Sequence, residues 1–286
     1  MTWVQLILSA NHFSGTISST IANLQSVSVL AFDSNNLTGT LPAEVFSLPS
    51  LYSLDLSDNQ LSGSIPSFNN GATELVVVDL SNNAFTGSIP DLSGSTSLTS
   101  VNLGLNSLTG TIPDAVTQIT TLASFVCREN QLTGMLPPSF TAMVNLTLWD
   151  ISYNQIQGTI PTQLYNLPIL SHFAIGHNNF GGTIPVELCL LKNVSYLNFN
   201  NIGLSGVLPE CIGHLAELTS FYADFNQISG TIPANFGNLT ELTLLSLTGN
   251  QLTGTIPKDL ANATNLETLL LGSNGHKVTF LLKGHE

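Results

Sequence analysis

The side chains able to do chemistry here are six histidines, three cysteines and a few carboxylates, and their spacing decides what they can do. His12, His172, His177, His214, His276 and His285 are scattered along the chain. A zinc site gathers three or four ligands, and only His172 and His177 lie close together, without a third. No metal is expected. The His-Glu-x-x-His helix, the Gly-x-Ser-x-Gly elbow and the phosphate-cradling glycine loop are missing from the sequence. No catalytic residue and no cofactor are expected, and the chain reads as a non-enzyme. Asp55 and Asp79 are separated by 24 positions, with Asp33 and Asp58 close by. Like charges sharing a face repel. Solvated carboxylates are expected rather than a cation site, because the glycine and closing glutamate of a calcium loop are lacking.

The 24-residue spacing of those aspartates belongs to the whole chain. Asparagine recurs at Asn11, Asn35, Asn59, Asn83, Asn106, Asn130, Asn154, Asn178, Asn226, Asn250 and Asn274. The step is 24 residues except for one of 23 between Asn83 and Asn106, and Ile202 fills the vacant slot after Asn178. Each copy reads LxxLxLxxNxLxGxIP, as in Leu51 to Pro66 and Leu242 to Pro257. Ten of the 13 prolines share one slot, from Pro42 to Pro257. Alternation through Leu54 and Leu56 is strand periodicity, with every second residue pointing inward. The asparagine falls where the strand bends away, and its amide has donors and an acceptor for the backbone groups of that bend. Glycine permits a tight backbone there, and proline prevents a long helix from following. One copy cannot bury its own apolar face, so copies must stack. The expected fold is an α/β repeat: a right-handed solenoid over residues 1–275, of about twelve copies. A concave parallel sheet would form one side and short 3₁₀ or helical segments the convex side, with a non-repeat tail at 276–286. Ile202 is expected to leave a local irregularity.

The charge balance excludes whole classes of partner. The chain has 5 Lys and Arg against 18 Asp and Glu, a net charge of −13, and 43% hydrophobic residues. Nucleic-acid affinity rests on cations displacing counterions from phosphates, and anionic membranes attract the same basic segments. Neither partner suits this chain. The longest apolar runs, such as Leu75–Val78, fall far short of the ~20 residues that span a bilayer. The start lacks the charged and apolar regions of a secretory leader. Cys127 takes an inward strand position and reads as a small core hydrophobe. Cys189 and Cys211 sit on the outer side of neighbouring copies, offset by two positions; free thiols are expected, with a disulfide between them as the alternative.

The LxGxIP extension, carried in tandem over about residues 1–275, resembles the plant-type leucine-rich-repeat family. Its members include receptor-like kinase and receptor-like protein ectodomains and the polygalacturonase-inhibiting proteins. The resemblance implies a second, lateral sheet around the LxGxIP segment. It also implies an extracellular or cell-surface ligand-recognition module for a peptide, glycan or partner protein. A co-receptor kinase is one implied partner; a secreted cell-wall hydrolase, inhibited by the chain, is the alternative. The family's paired-cysteine cap, its C-terminal cap, a kinase domain and a membrane span are not in the sequence, so a piece of a longer protein is expected.

Positions four, two and one before each ladder asparagine are expected to face outward. Arg128, Asp150, Tyr153, His177, Asn200, Tyr222, Asp224 and Phe225 then cluster on the concave face of the sixth to tenth copies. Exposed aromatics beside charged and amide groups are the usual material of recognition surfaces. Asn36, Asn145, Asn193, Asn238 and Asn262 open Asn-x-Ser/Thr triplets, expected in turns or convex segments, and are candidate glycan acceptors. Ser14/Thr16, Thr38/Thr40, Ser62/Ser64, Thr86/Ser88 and Thr109/Thr111 flank the repeat glycine. Extended, these pairs would recur every ~4.8 Å as a flat hydroxyl ladder of the kind that binds ice, broken at Met135, Gln157, Gly181 and Val207.

Overall fold

The computed structural model describes residues 4–69 and 71–274. The chain divides into two compact units, one ending at Ile156 and one beginning at Gln157. The tail at 276–286 lies outside the described residues.

In the first unit seven three-residue strands pair in parallel, in chain order: Gln5–Ile7, Val29–Ala31, Ser53–Asp55, Val77–Asp79, Ser100–Asn102, Ser124–Val126 and Leu148–Asp150. The second unit holds five: His172–Ala174, Tyr196–Asn198, Ser220–Tyr222, Leu244–Ser246 and Thr268–Leu270. Register follows the repeat, so Leu30 lies beside Leu54 and Leu54 beside Val78. Val78 lies beside Val101, which places the one-residue deletion outside the strand. The middle residue of most strands is buried and its neighbours are half-buried, as alternation demands. These middle residues, with the Leu and Phe that follow, build the core of each unit; Phe46 stacks on Phe68 and Phe125 on Trp149.

The asparagine column stitches successive coils. Asn59 donates its amide hydrogens to the carbonyls of Leu56 and Ser57 in its own coil and of Phe32 in the coil before; its oxygen accepts the Leu37 N–H. The same inter-coil donation recurs at Asn35, Asn83, Asn106, Asn130, Asn154, Asn226, Asn250 and Asn274. Buried carbonyls and N–H groups at a bend need partners, and one side chain supplies four. The residue before the asparagine adopts left-handed backbone, with φ from 49° to 56° at eleven non-glycine positions between Ala10 and Ser273.

Among the described residues eight five-residue 3₁₀ helices close the coils, and seven of them follow a proline. Proline holds φ near −65° and leads extended chain into the turn. The first unit also carries the second sheet that the family resemblance implies. It runs through Ser14–Thr16, Asn36–Thr40, Gln60–Ser64, Ala84–Ser88 and Ser107–Thr109, all parallel. The second unit has a short pair, Ser229–Gly230 with Gln251–Leu252. The repeat glycine is obligatory: at Gly39 φ is +78°, and a Cβ would lie 2.8 Å from Thr16 Cγ2.

Two expectations need correction. Cys189 and Cys211 are not free thiols but a disulfide, with Cα atoms 5.9 Å apart. The two-position offset, which argued against pairing in the sequence, is absorbed by the turns Val186–Leu190 and Glu210–His214 on consecutive coils. The hydroxyl pairs do not form a straight ladder either. The second sheet pairs Thr16 with Thr38, Thr40 with Ser62, Ser64 with Thr86 and Ser88 with Thr109. Each strand is thus slipped by two residues from the register of the repeat, and equivalent hydroxyls run obliquely.

Candidate recognition surface

In the first unit Arg128 and Tyr153 are exposed and Asp150 is half-buried. The Arg128 guanidinium lies 3.6 Å from the Glu129 carboxylate, an exposed pair that contributes little to stability. Asp150 accepts the Ser152 N–H at 3.0 Å, which fixes its rotamer. The Ser152 hydroxyl beside it is buried without a hydrogen-bonding partner. Tyr153 is half-exposed and stands in the left-handed column at φ 55°.

The aspartates of this unit are laced by hydrogen bonds. Asp55 accepts from the Ser57 N–H and hydroxyl, and Asp79 from Ser81 and from the Asn102 amide. Asp58 accepts from Asn82, and Asp33 from Ser9. Burial, and then repulsion from Asp79 and Asp33, push the Asp55 carboxyl above its usual range despite the Ser57 bonds. Among the described residues no group of three or more His, Cys, Asp or Glu is arranged to hold a metal. Cys127 is fully buried, and its thiol is pushed up by that burial.

In the second unit Asp224 differs from its expected role. It is only 9% exposed, and its Oδ1 accepts the Ser246 hydroxyl at 2.6 Å and the Thr248 N–H at 2.7 Å. Asn200 in turn accepts the Asp224 N–H at 2.6 Å. Both side chains lace neighbouring coils, because an outward carboxylate two residues before a ladder asparagine meets the unpaired N–H of the next turn. Phe225 is 62% exposed, and His177 is partly buried, which depresses its basicity. The His177 Nδ1 lies 3.5 Å from the Asn201 amide nitrogen.

The aromatic cluster of this unit is wider than the sequence reading anticipated. His172 stacks on Tyr196 with ring centres 4.1 Å apart and planes within 3°, and Tyr196 lies 5.5 Å from Tyr222. His172 and Tyr196 are strand partners on adjacent coils, six residues before their ladder positions. That column also faces outward, and the 24-residue spacing of the two aromatic residues is the signal for it in the sequence.

Of the five glycan candidates, all are exposed. Asn36 is a correction, since it opens the strand Asn36–Thr40 of the second sheet rather than a turn. Asn238 and Asn262 end 3₁₀ helices, while the Asn145 and Asn193 amides donate to the carbonyls of Thr120 and Pro168.

The coil, the asparagine column and the second sheet define a leucine-rich-repeat solenoid. Family models described as leucine-rich repeat match residues 4–61, and residues 74–95, 217–239 and 241–263. The chain carries leucine-rich repeats of the kind these models describe. A comparison with curated proteins found no match. Among solved structures it is similar to a TDR receptor, at 33% identity and a TM-score of 0.92, over 95% of this chain and 47% of that one. It is also similar to the Arabidopsis receptor kinase HAESA, solved with the peptide hormone IDA and the co-receptor SERK1. There the identity is 30% and the TM-score 0.80, over 95% of this chain and 50% of that one. The chain thus spans about half the length of these receptors. A plant ice-binding protein is similar at 25% identity and a TM-score of 0.67, over 97% of this chain and 84% of that one. Among the described residues no helix is long and apolar enough to cross a membrane.

Proposed function

We propose that this chain is a non-enzymatic recognition module of a receptor-like protein outside the cell, and that it binds a peptide. The observation carrying this reading is the aromatic cluster of the second unit, His172, Tyr196 and Tyr222, with the exposed Phe225 beside it. Aromatic rings offer large contact area at low entropic cost, which is why they dominate recognition hot spots. Similarity to receptors solved with a peptide hormone supports a peptide, and a co-receptor kinase as further partner. A disulfide and five Asn-x-Ser/Thr triplets support an oxidising, extracellular home. The test is capture from a displayed library of short peptides, followed by calorimetric titration of the best binder. Tyr222→Ala with Phe225→Ala should weaken binding by about 2 kcal/mol or more; unchanged affinity would reject this face.

A second reading has its own observation. The five-stranded second sheet of the first unit carries no charged residue and is rich in Ser and Thr. Thr38, Ser62 and Thr109 each donate to the glycine carbonyl of the preceding coil. An uncharged hydroxyl face, periodic along its oblique rows, suits an ice surface, and the similarity to a plant ice-binding protein supports it. Thermal hysteresis and faceted ice crystals are the expected result; their absence would remove this reading and leave the first intact.

A further inference from the structure

The one coil lacking a ladder asparagine is also the one tied by a disulfide. At Asn226 the side chain donates to the carbonyls of Phe199, Ala223 and Asp224, and its oxygen accepts from the N–H groups of Ile202 and Leu204. Asn250 repeats the arrangement on the next coil. At position 202 the fully buried isoleucine offers none of these bonds. The backbone compensates in part, with Gly181 N–H donating to the Ile202 carbonyl at 2.6 Å. Glycine is also denser here than in the regular repeat. Gly181 and Gly203 adopt positive φ in addition to the repeat glycines Gly182 and Gly206, and each such residue loses more freedom on folding than any other. The seam between the coil of Asn178 and the coil of Ile202 therefore has fewer side-chain stitches and a costlier backbone than its neighbours.

Cys189 lies in the turn Val186–Leu190 of the first of these coils, and Cys211 in the turn Glu210–His214 of the second. The bridge spans the same seam from the opposite side of the coil. We propose that the Cys189–Cys211 disulfide replaces the missing asparagine rung, and that its reduction opens this seam selectively. The seam is then a redox-addressable weak point. The chemistry balances with a dithiol as reductant. One thiolate of the dithiol attacks the Cys211 sulfur, the less buried of the pair, and Cys189 leaves as a thiolate that takes up a proton. The second thiol of the dithiol then resolves the mixed disulfide, releasing Cys211 as a thiol and the reductant as a cyclic disulfide. His177, Asn198, Asn200 and Asn201 lie on the two coils of the seam, so its opening also disorders part of the candidate recognition face.

The test is native-state hydrogen exchange, read by mass spectrometry on the full chain without ligand, so that its outcome does not depend on the recognition reading. With dithiothreitol, peptides from 172–210 should exchange about tenfold faster or more, while those from 220–250 keep their protection. The variant Cys189→Ser with Cys211→Ser should show the same pattern without reductant. Adding Ile202→Asn to that variant should restore part of the protection at the seam. Unchanged exchange on reduction, an equal rise in both regions, or no recovery with Ile202→Asn would each overturn the proposal.

Discussion

Removing one rung of the asparagine column should cost far more than an ordinary polar substitution, and Asn154 is the position at which to measure it. Its amide donates at 3.0 Å to the Cys127 carbonyl on the preceding coil, and to Ile151 and Ser152 in its own. Its oxygen accepts the Leu132 N–H at 2.9 Å. Asn154→Ala leaves the Leu132 N–H without its partner, next to side chains that exclude water, while the Cys127 carbonyl keeps the Asn130 amide. A buried backbone group left unpaired costs about 1–3 kcal/mol, so the orphaned Leu132 N–H predicts a loss of about that size. Asn11→Ala is the control. Asn11 is exposed and donates only to the carbonyls of Leu8 and Ser9, so its loss should stay within about 0.5 kcal/mol. Asn154→Asp sharpens the point: it keeps an acceptor but turns a buried carboxylate toward three carbonyl oxygens, and should cost at least as much as alanine. Urea denaturation gives the answer through the midpoint at unchanged slope. If Asn154→Ala fell within 0.5 kcal/mol or so of Asn11→Ala, side-chain amides would not be what holds the coils together.

Ser152→Ala should be neutral or stabilising by about 1 kcal/mol, because the buried hydroxyl has no partner to lose, and denaturation midpoints will show it. Asp55→Asn acts through pH. The Asp55 carboxyl is raised above its ordinary value near 3.8, so its contribution is full below that value and is lost as pH rises through the folded value. The variant should therefore gain on the parent at neutral pH and lose that advantage below about pH 4, as denaturation across pH will read. His177→Asn has the opposite window. Burial lowers the folded basicity of His177, so stability is lost as pH falls below about 6.5, and the uncharged variant, tolerant of left-handed backbone, should show a shallower acid loss.

The repeat made most of this fold legible. Period, strand position, proline slot and asparagine column each followed from residue types recurring every 24 positions, since a stacked coil imposes the same environment on each copy. What escaped the sequence were relations between coils. The slip of two residues in the second sheet depends on how the bend after the asparagine advances the chain, which no single copy reveals. Cys189 and Cys211 looked mismatched for the same reason, because a 24-residue period says which residues share a column but not which neighbours a turn brings together. At the site, Tyr222 and Phe225 were within reach of the pattern. The stacking of His172 on Tyr196 is a relation between coils, and the inward lacing of Asp224 depends on donors supplied by the next coil.

The left-handed column gives an independent reason to look for recognition where large side chains interrupt it. Backbone at φ near +55° suits glycine, asparagine and aspartate, and disfavours other residues by roughly 1–2 kcal/mol. Several copies obey this, with Asp58, Asn82, Asn201 and Gly249 in the column, and the small Ala10, Ser34 and Ser273 occupy others. Leu105, Glu129, Tyr153, His177 and Phe225 do not. Burial in the core does not account for the aromatic exceptions, since Tyr153 and Phe225 remain at least half exposed, and the Phe225 ring lies over Gly249. Strain kept at a largely exposed position is a pattern of functional sites, where a contact from outside the fold repays it. The same solenoid would be as stable or more so with asparagine at those places. We propose that Phe225, the more exposed of the two, is held out for a partner.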